Sequence, residues 1–243
     1  MTAVLDLHEV SAAYGTFRAL FEVSLTVEPG QAVALLGPNG VGKTTVARVA
    51  SGLVAPTSGT VSVAGDDLTG APAHRYARAG VAHAPEGRSV FATLSVEDNL
   101  RLSFRQSQGR RGVGAALARA YQLFPVLADR RRQLAGTLSG GEQRMLSMAR
   151  VMVEAPKLLV ADELSFGLAP IVVDRVYDNL RLLREAGTAM LIVEQHVPRA
   201  LELCDRVVLL GHGAVAWAGP VAEAADVISQ TLFRQAQDEA APT

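Results

Sequence analysis

The sequence predicts an α/β fold in which a mainly parallel sheet is interrupted by a helical insertion, and three observations lead to it. Short unbroken apolar runs at Ala32–Leu36, 158–161, Ala189–Val193 and 207–210 have the character of strands buried on both faces. A glycine-rich loop separates the first run from a helix expected near 44–50. Between about 88 and 150 the strand–helix alternation gives way to successive helix signals.

The elements follow in order. Alternation of Val4, Leu5, Leu7 and Val10 predicts a strand that ends in a turn at Tyr14-Gly15. A second strand is expected over 21–27, stopped by Glu28-Pro29-Gly30, and after the 44–50 helix a turn at 56–59 leads into a strand at 60–63. Ser95 followed by Val96-Glu97-Asp98 reads as a helix N-cap with an acidic first turn. Helices are expected near 96–103, 113–124 and 141–153, separated by a glycine-flanked segment at 109–112 and by Pro125. After Pro156 the alternation returns, and a last helix is expected over 221–237 with a frayed tail to Thr243. No internal repeat is visible.

At 243 residues, with 49% hydrophobic and 19% charged residues, the chain fits one large globular domain and not a disordered or low-complexity polymer. No uninterrupted apolar run approaches the ~18 residues of a membrane span. The opening Met1-Thr2-Ala3-Val4-Leu5-Asp6 has no basic region ahead of an apolar core, so no signal peptide is expected. One cysteine, Cys204, rules out an internal disulfide framework and a Cys-based zinc site. The expectation is a soluble cytoplasmic protein. Its net charge of −1 hides an asymmetry: residues 75–150 carry 13 Lys+Arg against 5 Asp+Glu, a local +8, which leaves −9 elsewhere. The arginines at 101, 105, 110, 111 and 130–132 are either a solvated helical face or a surface that meets anionic headgroups or nucleic acid.

Gly37-Pro38-Asn39-Gly40-Val41-Gly42-Lys43-Thr44 satisfies the pattern G-x-x-x-x-G-K-[ST] between a buried strand and a helix. Glycines let successive backbone N–H groups face phosphates, and the helix N-terminus adds its positive dipole. Lys43 is then placed to reach the β- and γ-phosphates, and Thr44 to put its hydroxyl on Mg²⁺. Downstream, Leu158-Leu159-Val160-Ala161-Asp162-Glu163 is an apolar strand ending in two acids: Asp162 is placed to hold Mg²⁺ and Glu163 to polarise an attacking water. Leu138-Ser139-Gly140-Gly141-Glu142-Gln143 opens another helix and makes a second anion-binding N-terminus. Two such sites in one chain are reconciled by a head-to-tail dimer, each subunit presenting Ser139 to the nucleotide of the other.

These motifs resemble the ABC ATPase family over nearly the whole chain. The resemblance implies a P-loop ATPase core with a mainly parallel sheet, an N-terminal antiparallel β subdomain, and a helical subdomain at about 88–150 inserted into a single nucleotide-binding domain spanning 1–243. It implies ATP and Mg²⁺ as ligands. Tyr14 matches the aromatic that stacks on adenine; residues 37–45, with Gly37, Asn39, Gly40, Gly42, Lys43, Thr44 and Thr45, match the phosphate loop. Ser139, Gly140, Gly141 and Gln143 match the signature, Asp162 and Glu163 the magnesium and catalytic acids, and His196 the switch histidine that senses the γ-phosphate. Three positions depart from the wider pattern. Glu86 stands where most members have a glutamine that contacts Mg²⁺, Ala169 replaces an aspartate, and Leu164 replaces a proline.

Residues 84–88, Phe91, 94–100 and 165–170 look like the ATPases of branched-chain amino acid importers. That likeness implies a peripheral motor on the cytoplasmic face of the cell membrane. It would dimerise with itself or a paralogous ATPase, work with membrane permeases and, indirectly, a solute-binding protein, and bind no nucleic acid. Branched-chain amino acids are the expected cargo, with other small amino acids, urea, short amides or small acids as alternatives. An ABC ATPase acting on nucleic acid or ribosomes usually has two cassettes or a long coiled coil, and neither is visible here. A P-loop GTPase would carry Asn-Lys-x-Asp, which is absent. Phe91 and Arg88 are expected in the permease docking groove.

Overall fold

The computed structural model describes residues 2–85, 89–165, 168–194, 197–225 and 227–228. β1 (Leu5–Tyr14) and β2 (Phe17–Val27) form an antiparallel hairpin in which Tyr14 pairs with Phe17. The hairpin extends β2 back to Phe17, ahead of the expected start at 21, because Phe17, Arg18 and Leu20 pair with Tyr14, Ala13 and Ala12 of β1. β3 (Ala32–Leu36) leads through the glycine loop into α1 (Lys43–Ala50). Then come β4 (Ser58–Val63), β5 (Asp66–Asp67), α2 (Ala73–Ala79) and β6 (Val81–Ala84). Neither α2 nor β6 shows in the hydrophobic pattern: β6 is a four-residue edge strand whose two middle residues are only partly buried.

The insertion comprises α3 (Val96–Ser107), α4 (Gly109–Leu123), α5 (Pro125–Asp129), a 3-10 turn at Ala135–Thr137 and α6 (Gly140–Glu154). Ser95 caps α3 as expected, its hydroxyl accepting from the Asp98 N–H at 3.0 Å, a contact worth about 1 kcal/mol. The Arg130 charge is committed within the insertion, 2.7 Å from Glu142, so it does not join Arg131 and Arg132 as a free basic surface. After it come β7 (Leu158–Asp162), α7 (Pro170–Glu185), β8 (Ala189–Val193), α8 (Val197–Leu203), β9 (Arg206–Gly211) and β10 (Ala214–Pro220). Residues 221–225 and 227–228 are helical, the start of the expected last helix; the rest of that range lies outside the described residues.

Two sheets result. The first is antiparallel in the order β2-β1-β4-β5, and the second runs β10-β9-β3-β8-β7-β6 with every pairing parallel except β10 against β9. Period-two alternation splits the parallel strands between two cores. Ala32, Ala34 and Leu36 of β3, with Leu159 and Ala161 of β7, face the insertion, α7 and α8. Val33, Leu35, Leu158 and Val160 face α1 and the antiparallel sheet. The strands therefore carry apolar side chains on both faces, as their unbroken runs require.

His83 on β6 adds a pH dependence to this core. Ser51 Oγ donates to Ala47 O at 2.8 Å, so the 2.9 Å contact between Ser51 and His83 is made by the imidazole Nδ1–H. Burial, and secondarily the charge of Arg48, push the His83 pKa from 6.5 down to about 4. The folded state then binds this proton more weakly than the unfolded chain does, so the contribution is complete above pH 6.5 and is lost as pH falls toward 4. Urea unfolding should show the midpoint declining across that window, and His83→Gln should flatten this part of the profile. An identical slope in the variant would exclude His83 as the cause.

Candidate nucleotide-hydrolysis site

The site begins where β3 ends. Gly37 has a φ of 150°, and a Cβ there would overlap the Leu210 carbonyl oxygen of β9, so only glycine lets the chain leave the sheet at this point. Gly42 closes the loop at φ 105°, where a Cβ would come 2.8 Å from Ala19 O. Gly42 is also the N-cap of α1 and supplies no side-chain acceptor, which leaves the first-turn N–H groups directed at the loop.

Lys43 is almost entirely buried, and its ammonium donates to Gly37 O at 2.8 Å and Pro38 O at 2.7 Å. Burial lowers its pKa, while the carboxylates of Glu163 and Asp162 act in the opposite direction. A cation held under a ring of backbone N–H groups, with acids across from it, is built to meet phosphate oxygens.

Tyr14, Phe17, Asn39, Gly40, Lys43, Thr44 and Glu163 surround a cavity of about 410 Å³, with Ala19, Gly42 and Thr45 completing its wall. The structure thus gathers the expected aromatic, phosphate-loop and catalytic-acid positions in one place, with Gly37 immediately behind it. Phe17 lies between the expected turn at Tyr14-Gly15 and the strand expected from 21, and its signal is the register that pairs it with Tyr14. At 66% exposed, it adds a second aromatic ring beside Tyr14.

Asp162, 1% exposed at the end of β7, has its Oδ1 3.4 Å from the Thr44 hydroxyl. Hydroxyl and carboxylate oxygens converging at the mouth of a phosphate loop fit Mg²⁺, a hard cation that takes one or two protein oxygens and completes its shell with phosphate and water. Among the described residues no group of three or more His, Cys, Asp or Glu forms a protein cage for a metal. Glu163 follows with a φ of 48°, a left-handed backbone rare outside glycine, and its N–H donates to Val193 O at 2.9 Å. Leu164 is buried in the core shared with the insertion, so an apolar anchor holds the turn where a proline is customary. Ala169, the other departure, is the N-cap of α7 and offers no side-chain acceptor there.

The signature residues are not part of this cavity. Ser139 caps α6 in a reciprocal box with Glu142: the Glu142 N–H donates to Ser139 Oγ at 3.3 Å and the Ser139 N–H to Glu142 Oε2 at 2.9 Å. Ser139 and Gly140 are exposed and Gly141 half-buried. Gln143, unlike its exposed neighbours, is 4% exposed, and its amide donates to Ala135 O at 2.9 Å, because position 143 falls on the inward face of α6. Glu86, Arg88 and His196 lie outside the described residues.

A phosphate loop at the edge of a parallel sheet, with an acid pair two strands away, defines a P-loop nucleoside triphosphatase. The model of the ABC transporter family matches residues 20–165, and the chain belongs to that family as an ATP-hydrolysing cassette. It is 38% identical over 214 residues to the high-affinity branched-chain amino acid transport ATP-binding protein BraG of Pseudomonas aeruginosa, covering 87% of this chain and 91% of that protein. It is 35% identical over 216 residues to the probable branched-chain amino acid transport ATP-binding protein LivF of Archaeoglobus fulgidus, with 88% and 91% covered. The lipopolysaccharide export ATP-binding protein LptB of Escherichia coli is 34% identical over 213 residues, with 87% and 88% covered. Among solved structures, an ATP-binding subunit of an ABC transporter superposes with a TM-score of 0.83 at 24% identity, covering 93% of each chain. Among the described residues no helix is long and apolar enough to cross a membrane.

Lys43→Ala removes the buried phosphate counter-charge. It should lower ATP affinity by about 10- to 100-fold, the worth of one charge-assisted bond. Titration with a fluorescent ATP analogue measures this, and unchanged affinity would remove Lys43 from the phosphate site.

Proposed function

We propose that this chain is the motor subunit of a membrane importer for branched-chain or other small amino acids, or related small polar solutes, acting peripherally on the cytoplasmic face of the membrane. The carrying observation is the separation of two anion-seeking helix starts: α1 opens on the cavity holding Lys43 and Glu163, whereas α6 presents Ser139 outside it. A head-to-tail pair, with a second copy or a paralogue, gives each Ser139 a nucleotide to address. The importer reading draws on the likeness to BraG and LivF, and it brings permeases and an external solute-binding protein as partners. The likeness to LptB favours a second reading, an export motor.

In this mechanism the loop amides and Lys43 hold the β- and γ-phosphates, and Tyr14 stacks on the adenine. Thr44 and Asp162 hold Mg²⁺, which when bound neutralises charge on the phosphates as the leaving bond breaks. Glu163 accepts a proton from water as the water oxygen attacks the γ-phosphorus. The bond to the β–γ bridging oxygen breaks, and ADP and phosphate leave. His196 would sense the γ-phosphate, and Glu86 would be a further contact for the metal.

Glu163→Gln should cut turnover by about 10²–10⁴ while ATP still binds, and should trap a closed dimer seen by light scattering with ATP and partner subunits. Adding Ser139→Arg should abolish that dimer. Wild-type turnover in Glu163→Gln would sink the assignment. Labelled leucine uptake, lost in cells lacking the chain and restored by it, supports import; a lipopolysaccharide defect with uptake intact points to export.

The docking groove is proposed at a cleft of about 690 Å³ between α2, α3 and the end of α6, lined by Arg78, Phe91, Leu102, Arg150 and Glu154. Phe91 is 47% exposed, with the Arg150 guanidinium 5.6 Å from its ring centre. Asn99 holds the Phe91 backbone from both sides, accepting from its N–H at 2.8 Å and donating to its carbonyl at 3.0 Å, so truncating the ring leaves the loop in place. Phe91→Ala should weaken permease co-purification and transport while basal ATP hydrolysis stays within about twofold. Loss of basal hydrolysis would assign Phe91 to the catalytic core instead.

A further inference from the structure

Arg144 was not among the expected site residues, yet it makes three backbone contacts around the hydrolytic acid. It lies on α6 just after the signature and is 5% exposed. Its Nη1 donates to Pro85 O at 2.6 Å, and its Nη2 to Glu163 O at 2.8 Å and Asp162 O at 3.2 Å. The ladder between β6 and β7 ends at the pair Ala84–Ala161. The carbonyls taken by Arg144 belong to the next residue on β6's side, Pro85, and the next two on β7's, Asp162 and Glu163, so the guanidinium continues the cross-strand connection where the β6–β7 ladder stops. A planar fork suits this task, because it presents several N–H donors in fixed directions at once.

The consequence falls on Glu163. Its left-handed backbone is strained and persists only where neighbours over-determine it. Here β8 restrains the Glu163 N–H through the Val193 carbonyl, and Arg144 restrains the Glu163 carbonyl. With a contact on each flanking peptide, the direction of the Glu163 Cα–Cβ bond is held. The same guanidinium fastens Pro85, and it is carried by the helix that Ser139 caps.

We infer that Arg144 is a positioning residue for hydrolysis: it aims Glu163 and links that aim to the signature helix of the same chain. A displacement of α6 when Ser139 meets a nucleotide is thereby delivered to the acid that orients water. The inference rests on the reading of Glu163 as the water-orienting acid, and the test separates the two.

The measurement is steady-state ATP hydrolysis by the full chain assembled with its co-purifying subunits, for Arg144→Lys, which keeps the charge without the fork, and Arg144→Met, which keeps length without donors. Misaiming a catalytic group by about 1 Å costs up to about 100-fold in rate. The expected result is a kcat lowered about 10-fold in Arg144→Lys and about 100-fold in Arg144→Met, with KM for ATP within about threefold in both. In a Glu163→Gln background, Arg144→Met should cause no further loss, since both changes act on one step. On the chain alone, calorimetry should show Mg²⁺-free ATP affinity unchanged, which verifies a folded phosphate loop in either variant. Wild-type kcat in both variants overturns the inference. So does a fall of kcat, ATP affinity and thermal stability together, which would make Arg144 a structural brace only. Full turnover in Glu163→Gln unseats the acid and the inference with it, whereas a dead Glu163→Gln beside active Arg144 variants unseats Arg144 alone.

Discussion

The chemistry of this molecule depends on parallel strands that end at one edge. β3 and β7 are not neighbours; β8 runs between them, so their ends stand two strand spacings apart, about 9–10 Å. That interval has to be crossed for Thr44 and Asp162 to share a ligand. The glycine loop crosses it: leaving β3 at Gly37, it returns into α1 with Lys43 and Thr44 turned toward β7. Gly37 can start the crossing only because nothing projects from its Cα toward the Leu210 carbonyl. Packing in the sheet therefore sets the chemistry, and a single missing methyl group sets the packing.

The part of this arrangement that was legible in the sequence is the part carried by contiguous residues. The run Ala32–Leu36 with its following glycines, and the run before Asp162-Glu163, announce both strand and role within a few positions. The expected α/β architecture with its β subdomain and inserted helices matches the fold observed. What was hidden depends on contacts between distant segments. β6 is an edge strand with two half-buried residues and no run to betray it, and Phe17 matters only because hairpin register sets it opposite Tyr14. Gln143 looked like part of an exposed motif, but helical phase turns it inward to Ala135. Arg144 gives no sign in the sequence of the backbone oxygens of Pro85, Asp162 and Glu163 that it meets.

Two arginines on α6 show how the insertion is bound to the sheet it interrupts. Arg144 holds Pro85 before residues 86–88, and Arg150 holds the Ser89 carbonyl after them, at 2.7 Å. The segment that joins the acid-bearing sheet to the insertion is gripped at both ends by one helix. Apolar burial alone would let that helix slide, since the hydrophobic effect is non-directional. Directed bonds to carbonyls remove this freedom at Pro85 and at Ser89. Arg150 is partly desolvated, which lowers its pKa against the opposing pull of Glu154, and its stacking on Phe91 extends the same connection to the proposed docking cleft.

The two helix starts then take on different mechanical characters. α1 is anchored below by the sheet and the antiparallel subdomain, through Val46, Ala47, Val49 and Ala50, so its phosphate-facing end has little room to move. α6 begins in the open: its cap is a box of exposed and half-buried groups, and its grip lies further along, at Arg144 and Arg150. A ligand at the first end meets a fixed site. A ligand at the second end, as the proposed pairing has it, would act on a helix whose arginines reach the Glu163 carbonyl on one side and the Phe91 ring on the other. Packed interfaces with discrete arrangements convert small displacements into such motions. In the proposed head-to-tail pair, the asymmetry between a fixed and a levered helix start would suit one cassette to both holding a nucleotide and responding to its neighbour's.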